Sequence, residues 1–263
     1  MDNLYCSKYL QKHDPETFYC LEQSEVSDLA ISLFQLNLEL SKISQNSGEK
    51  AISFLKLSWW QEVVSDFYHH NKQKKEHPSI LLLSNVIAKY DIKQADLEAL
   101  VNAREFDTQS KQFNNVKELE HYVDKYLYQI FAIIISCQKI TLSKAEKQSI
   151  RNLCYILKTV RVINSLPKRN YNDHPFIPKE IITKVRTLPA IKRQEEIITI
   201  LKTYLANLLA QTPKLETSSE FINKFQHMVK YQADKTLKYS SSSSIAYISI
   251  FKLRCYLWWK SIR

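Results

Sequence analysis

Paired carboxylates one helical turn apart can share a divalent cation, and such a cation can take the charge of a phosphorylated substrate. Two such pairs are Glu62 with Asp66 and Glu120 with Asp124. Charges at this spacing are also common on solvated helix faces, and that is the expectation for both pairs. His69, His70 and His77 are candidate imidazole ligands, but no cysteine or glutamate stands at ligand spacing, so a polar loop is expected there. Cys137 and Cys154 are candidate nucleophiles; in apolar stretches, buried inert thiols are expected instead. Lys158 and Arg161 lie three apart on one face of an apolar run, and with Arg104 they form a basic set suited to an anion. Trp59-Trp60 is core, or a platform for an apolar ligand.

These residues need a scaffold. Leu29, Leu33, Leu36, Leu40 and Ile43 recur at steps of three and four and predict a helix over 28–46, stopped by Ser47-Gly48. Ile52, Leu55, Trp59, Val63 and Phe67 form the apolar stripe of a second helix over 49–70. Pro78 opens a third, to about Tyr90. A fourth spans 91–107, and a long fifth spans 116–140, most apolar at 130–135. Thr141 or Ser143 caps a sixth, with Glu146 completing a capping box, and Pro167 bounds it. The segment 168–178 is a polar, aromatic loop. Helical stretches at 191–211, 215–239 and 245–260 bring the total to about nine, with a serine run over 240–244 before the last.

Composition narrows the chemistry. The chain has 263 residues and a single glycine, Gly48. Average usage gives roughly 18 for this length. Sheets need glycine for turns and bulges, so an all-α chain is indicated. One glycine also excludes a P-loop and a dinucleotide-binding GxGxxG. The 37 basic residues outnumber the 27 acidic ones, for a net charge of +10. That balance suits anionic partners, or reflects a lysine-rich composition alone. Without a basic run or a recognisable motif, nucleic acid is not expected. Five cysteines without a CxxC indicate neither a disulfide framework nor a zinc site, and a reducing compartment fits. No secretory signal is expected from residues 1–12. The longest apolar stretch, 130–137, falls far short of the roughly 20 residues that cross a bilayer.

Five short segments, in order, resemble the squalene/phytoene synthase family: Leu57-Ser58-Trp59-Trp60-Gln61-Glu62, His77-Pro78, Ala103-Arg104-Glu105-Phe106-Asp107, Leu119-Glu120-His121-Tyr122 and Phe176-Ile177-Pro178-Lys179-Glu180. The resemblance covers about 5–182. It implies an all-α, single-domain isoprenoid-synthase-like helical bundle around a central cavity, spanning 1–263. In that family two aspartate-rich motifs face each other across the cavity and hold Mg²⁺, which holds the substrate diphosphate.

Both motifs depart from the family pattern here. Over 38–45 the first holds Glu39 as its lone carboxylate, with Ser41, Lys42 and Gln45 at the degenerate positions and a lysine where a cation belongs. The second, over 160–167, has no acid, and Asp173 lies beyond it in the loop. Kept landmarks without aspartates resemble the mitochondrial complex I assembly factor branch and its bacterial relatives, as do Leu36-Asn37-Leu38-Glu39-Leu40 and Lys50 followed by Ile52, Leu55 and Leu57. The resemblance implies a non-catalytic assembly or binding factor for a respiratory membrane complex, the NADH dehydrogenase. The alternative is a prenyl-diphosphate transferase of isoprenoid biosynthesis. No catalytic residue, metal ligand or cofactor is expected, and Mg²⁺ enters only under the alternative. Trp59, Trp60, Arg104, Asp107, Tyr122, Lys158, Arg161 and Asn164 are the ligand-pocket candidates, for a prenyl diphosphate or lipid held without turnover. The partner is a respiratory complex subunit or another assembly protein. The basic, aromatic segment 251–263 suits an anionic membrane surface. The location implied is cytoplasmic or matrix-like, peripheral on the inner membrane.

Overall fold

Helices account for all the regular structure of the described residues, which in this computed structural model are 2–21, 24, 26–43, 50–69, 77–109, 112–168 and 170–238. In order they are α1 (Asp2–His13), α2 (Pro15–Leu21), α3 (Ser27–Ile43), α4 (Lys50–His69), α5 (Pro78–Tyr90), α6 (Gln94–Asn102), α7 (Glu105–Thr108), α8 (Val116–Val123), α9 (Gln129–Cys137), α10 (Lys144–Ser165), α11 (Lys179–Val185), α12 (Ala190–Ala210) and α13 (Glu220–Lys238). A π-helical turn, Asp124–Tyr128, joins α8 to α9. Two 3₁₀ turns, Leu166–Lys168 and Tyr171–Asp173, follow α10. The expected positions Gln45, His70, 240–244, 245–260 and 251–263 lie outside the described residues.

The chain divides into two compact units, each built from separated segments. Unit 1 holds 1–110, 125–141 and 218–221. Its central helix is α3, packed by α1, α2, α4, α5 and α9. The expected α3 stripe of Leu29, Leu33, Leu36, Leu40 and Ile43 is wholly buried. Phe34, Phe131 and Phe221 close this core, Phe131 stacked on Phe221 at 5.4 Å and Phe34 edge-on to both. Each such ring contributes about 2–3 kcal/mol on burial.

Unit 2 holds 111–124, 142–217 and 222–263. Helix α10 packs against α8 and α12, and α11 against α12. The Ser143 capping box forms as its sequence signature requires, the Ser143 hydroxyl accepting from Glu146 N–H and the Glu146 carboxylate from Ser143 N–H. The Gln226 side chain closes the approach to α13 by bonding both the N–H and the carbonyl of Leu215, at 2.8 and 3.0 Å.

Several elements differ from the periodic reading. Helix α4 is rotated: Ser53, Leu57, Trp60, Val63 and Val64 are buried, while Ile52, Leu55 and Trp59 are exposed. The helix is apolar on two sides, so periodicity alone offered two stripes. The expected helix 91–107 breaks at Ala103-Arg104 into α6 and α7. The expected 116–140 helix carries the π-helical turn. Helices α1, α2 and α11 lay outside the predicted set, and α13 begins at Glu220 rather than 215.

With glycine nearly absent, two helices end on other residues in the left-handed region. Asp91 (φ 51°) terminates α5, and Lys139 (φ 54°) follows α9. In both, the next amide reaches back to the last turn: Ile92 N–H to Ile87 C=O and Ile140 N–H to Ile135 C=O. This is the closure that glycine usually supplies.

Candidate functional site

The first degenerate motif sits on the last turns of α3, in unit 1. The Lys42 ammonium bonds the Tyr9 hydroxyl of α1 at 2.5 Å and lies 4.2 Å from that ring's centroid. The His13 ring packs on Tyr9 at 4.4 Å. Its pKa is lowered by burial, then by the Lys42 and Lys12 charges, against the opposing Glu39 charge. Glu39 accepts from the Gln35 amide at 3.0 Å, and Ser41 turns its hydroxyl to the Leu38 carbonyl. One carboxylate beside an ammonium group does not provide the several oxygen ligands that Mg²⁺ requires, so these residues do not fit the family's metal.

The second stretch closes α10, in unit 2. Val160, Val162 and Ile163 are buried, Arg161 is exposed and Asn164 is half-buried. Ser165 and His174 look like a nucleophile with its base, Oγ and Nε2 lying 2.8 Å apart. Their other bonds rule out that role. Phe176 N–H donates to His174 Nδ1, which leaves the ring proton on Nε2. Ser165 donates its own proton to the Val162 carbonyl, so it accepts from the imidazole. The pair fastens the following loop to α10, and Gln112 adds a bond to the His174 carbonyl. His174 was not among the residues singled out from sequence; its place three residues before Ile177-Pro178 was the available signal.

The landmark segments build the scaffold. His77 caps α5, its Nδ1 accepting from Ser79 N–H ahead of Pro78. Arg104 and Asp107 form an ion pair at 3.0 Å with side chains only 5% and 9% exposed. The guanidinium also bonds the Asn37 side chain of α3 and lies 4.1 Å from the centroid of Tyr126. Glu180 accepts from Val116 N–H at 2.8 Å, capping α8 from a distant segment. Lys179 and Glu180 N–H groups bond the Phe113 and Asn114 carbonyls beside it. Tyr122, Phe113 and Phe176 form an aromatic cluster, with the Lys158 ammonium 3.0 Å from the Phe176 centroid. Trp60 is buried and edge-on to the partly exposed Trp59.

The remaining candidates separate. Glu120 and Asp124 depart from the solvated face expected of them. Tyr204 donates to Glu120 at 2.5 Å and Tyr155 to Asp124 at 2.8 Å, with Arg151 at 3.7 Å. Burial raises the Asp124 pKa, outweighing Tyr155, Arg151 and His121. Glu62 is exposed and Asp66 half-buried. His69 Nδ1 meets the Ser65 carbonyl. Complete burial pushes the Cys154 thiol pKa well up, and burial with Asp96 and Asp91 nearby raises that of Cys137, so neither is an activated nucleophile. An open cleft of about 430 Å³ in unit 1 is lined by Lys93, Asp96, Cys137 and Lys139 among others, and by none of the ligand-pocket candidates. Among the described residues, no three His, Cys, Asp or Glu side chains form a metal-ligand group.

The fold these helices make is that of the isoprenoid synthases. The chain matches a dehydrosqualene synthase in complex with ligand at a TM-score of 0.74, over 99% of this chain and 97% of that one, with 13% identity. A squalene synthase from Alicyclobacillus acidocaldarius matches at 0.64, over 98% and 94%, with 10% identity. Likeness at those identities establishes the fold alone. The squalene/phytoene synthase family model matches residues 10–219, and the chain belongs to that family. Among curated proteins it is similar to NADH dehydrogenase (ubiquinone) complex I assembly factor 6. Identity to the Bos taurus protein is 28% over 122 residues, 46% of this chain and 36% of that protein. The Homo sapiens protein gives the same figures, and the Dictyostelium discoideum homolog is 27% identical over 96 residues. The matched stretch thus spans little more than a third of the length of these mammalian relatives.

Proposed function

We propose that the chain is a non-catalytic assembly or binding factor for a respiratory membrane complex, the NADH dehydrogenase, working at the inner face of its membrane. The observation that carries this reading is the use made of the two motif positions. One binds Lys42 to Tyr9, and the other holds a loop through Ser165 and His174. Prenyl transfer by the family's route needs carboxylates at both, because the leaving diphosphate must be neutralised as it departs. Similarity to the complex I assembly factors gives the role its direction. Membership of the squalene/phytoene synthase family keeps prenyl transfer as the alternative, and the residues at both motif positions oppose it.

Deleting the gene in its source organism is expected to lower NADH dehydrogenase activity in isolated membranes, with recovery when the chain is restored. Activity equal to the parent's would remove the assembly role. Holding an anion without turnover belongs to the same reading, with Lys158, Arg161 and Asn164 of α10 as the polar end. Titration calorimetry with farnesyl diphosphate, with and without Mg²⁺, tests that part, and no heat in either case ends it.

A further inference from the structure

Two helices of unit 1 turn large apolar side chains to solvent. On α4 these are Ile52 (41% exposed), Phe54 (55%), Leu55 (67%) and Trp59 (39%). On α1 they are Leu4 (60%) and Tyr5 (44%). Steps of three and four put Ile52, Leu55 and Trp59 on one stripe, opposite the buried Ser53, Leu57, Trp60 and Val64. The last turn of α3 joins the two helices: Lys42 bonds Tyr9 of α1, and the Ile43 carbonyl accepts from Ser53 of α4.

Basic residues predominate around this face. Lys8 and Lys12 of α1 and Lys50 and Lys56 of α4 are exposed, and residues 50–61 include no acid. Glu39 nearby accepts from Gln35, and Glu62 marks the far edge, one turn past Trp59. Exposed apolar groups in such number mark an interaction surface. Four exposed lysines against Glu39 and Glu62 favour an anionic partner. Branched chains and aromatic rings enter the boundary between headgroups and acyl chains, while lysine stems lie along it with their ammonium groups at the phosphates.

We propose that the exposed apolar face of α4, with α1 linked to it through the end of α3, docks on an anionic phospholipid surface. Attachment is superficial; no described helix is long and apolar enough to cross a membrane. The proposal is independent of the assembly role, since vesicle binding requires no respiratory complex.

Flotation of the full chain tests it, with vesicles of phosphatidylcholine alone and with added phosphatidylglycerol, for the wild type and two variants. Ile52→Ser/Leu55→Ser removes the apolar stripe, and Lys50→Gln/Lys56→Gln the charge. The wild type is expected to float only with phosphatidylglycerol vesicles, and less so as salt rises. Each variant should bind about tenfold more weakly or worse, with unchanged circular dichroism. The charge variant retains every apolar contact and keeps the test decisive should the other fail to fold. Undiminished binding by both variants overturns the proposal and points to 251–263 as the membrane contact. Equal binding to neutral vesicles, or none to either kind, overturns it as well. So does a wild-type dimer that Ile52→Ser/Leu55→Ser converts to monomer, because a second copy then covers the face.

Discussion

Arg104 is braced on three sides by Asp107, Asn37 and Tyr126, and each contact depends on a planar cation. Replacing it with alanine leaves the Asp107 carboxylate buried without its partner, so Arg104→Ala should cost about 3–5 kcal/mol in urea unfolding. A cost under about 1 kcal/mol would mean the pair is a surface feature. Two tyrosines make a different prediction. Burial, then a hydrogen bond to a carboxylate, raises the pKa of Tyr155 (through Asp124) and of Tyr204 (through Glu120). Folded, they hold their protons above the ordinary value near 10. Their contribution is therefore complete below about pH 10 and is lost as pH rises, since the unfolded chain ionises first. Alkaline unfolding should begin above that pH, and Tyr155→Phe should be less stable near neutral pH with a shallower loss of stability above pH 10. Asp28 works in the other direction. Burial raises its pKa, but hydrogen bonds from Lys89, Tyr90 and Leu29 N–H and the Lys89 charge outweigh this, for a net lowering. Its contribution is present above about pH 4 and falls away in acid. Because its partner Lys89 is exposed and Asp28 itself is only half-buried, Asp28→Asn should cost no more than about 1 kcal/mol at neutral pH.

At the scale of elements, the Ser143 capping box and the two left-handed helix ends carry opposite predictions. Ser143→Ala removes an acceptor for Glu146 N–H and should cost about 1 kcal/mol. Lys139→Gly should raise stability by roughly 0.5–1 kcal/mol, since glycine takes the positive φ without a Cβ clash. Thermal melts of both variants check this, and a destabilised Lys139→Gly would show that the end of α9 is not strained. These features also show what was legible in sequence. The α3 stripe, the Pro78 start and the Ser143 box were, because in each a local signal stands without competition. The rotation of α4 was not: two apolar stripes compete, and only packing against α3, α6 and α7 selects between them. The break at Ala103-Arg104 and the π-helical turn have no proline or glycine to announce them.

The molecule as a whole, on the proposed reading, keeps the family landmarks without the family chemistry. His77, Arg104, Asp107, Tyr122 and Glu180 are present, and every one caps a helix, pairs in a core or stacks in an aromatic cluster. The aspartates serve only the diphosphate, and their places are filled by Lys42 and by the apolar end of α10. The residue types at the expected motif positions are read directly from sequence. Their partners are not, because Tyr9 and His174 are distant or unremarkable in sequence and become neighbours only on folding. The central claim is that this family fold lacks the family's reaction, and product analysis meets it most directly. Purified full chain, incubated with farnesyl or geranylgeranyl diphosphate and Mg²⁺, should return both substrates unchanged with no diphosphate released. Squalene or phytoene formed over repeated turnovers would contradict the account.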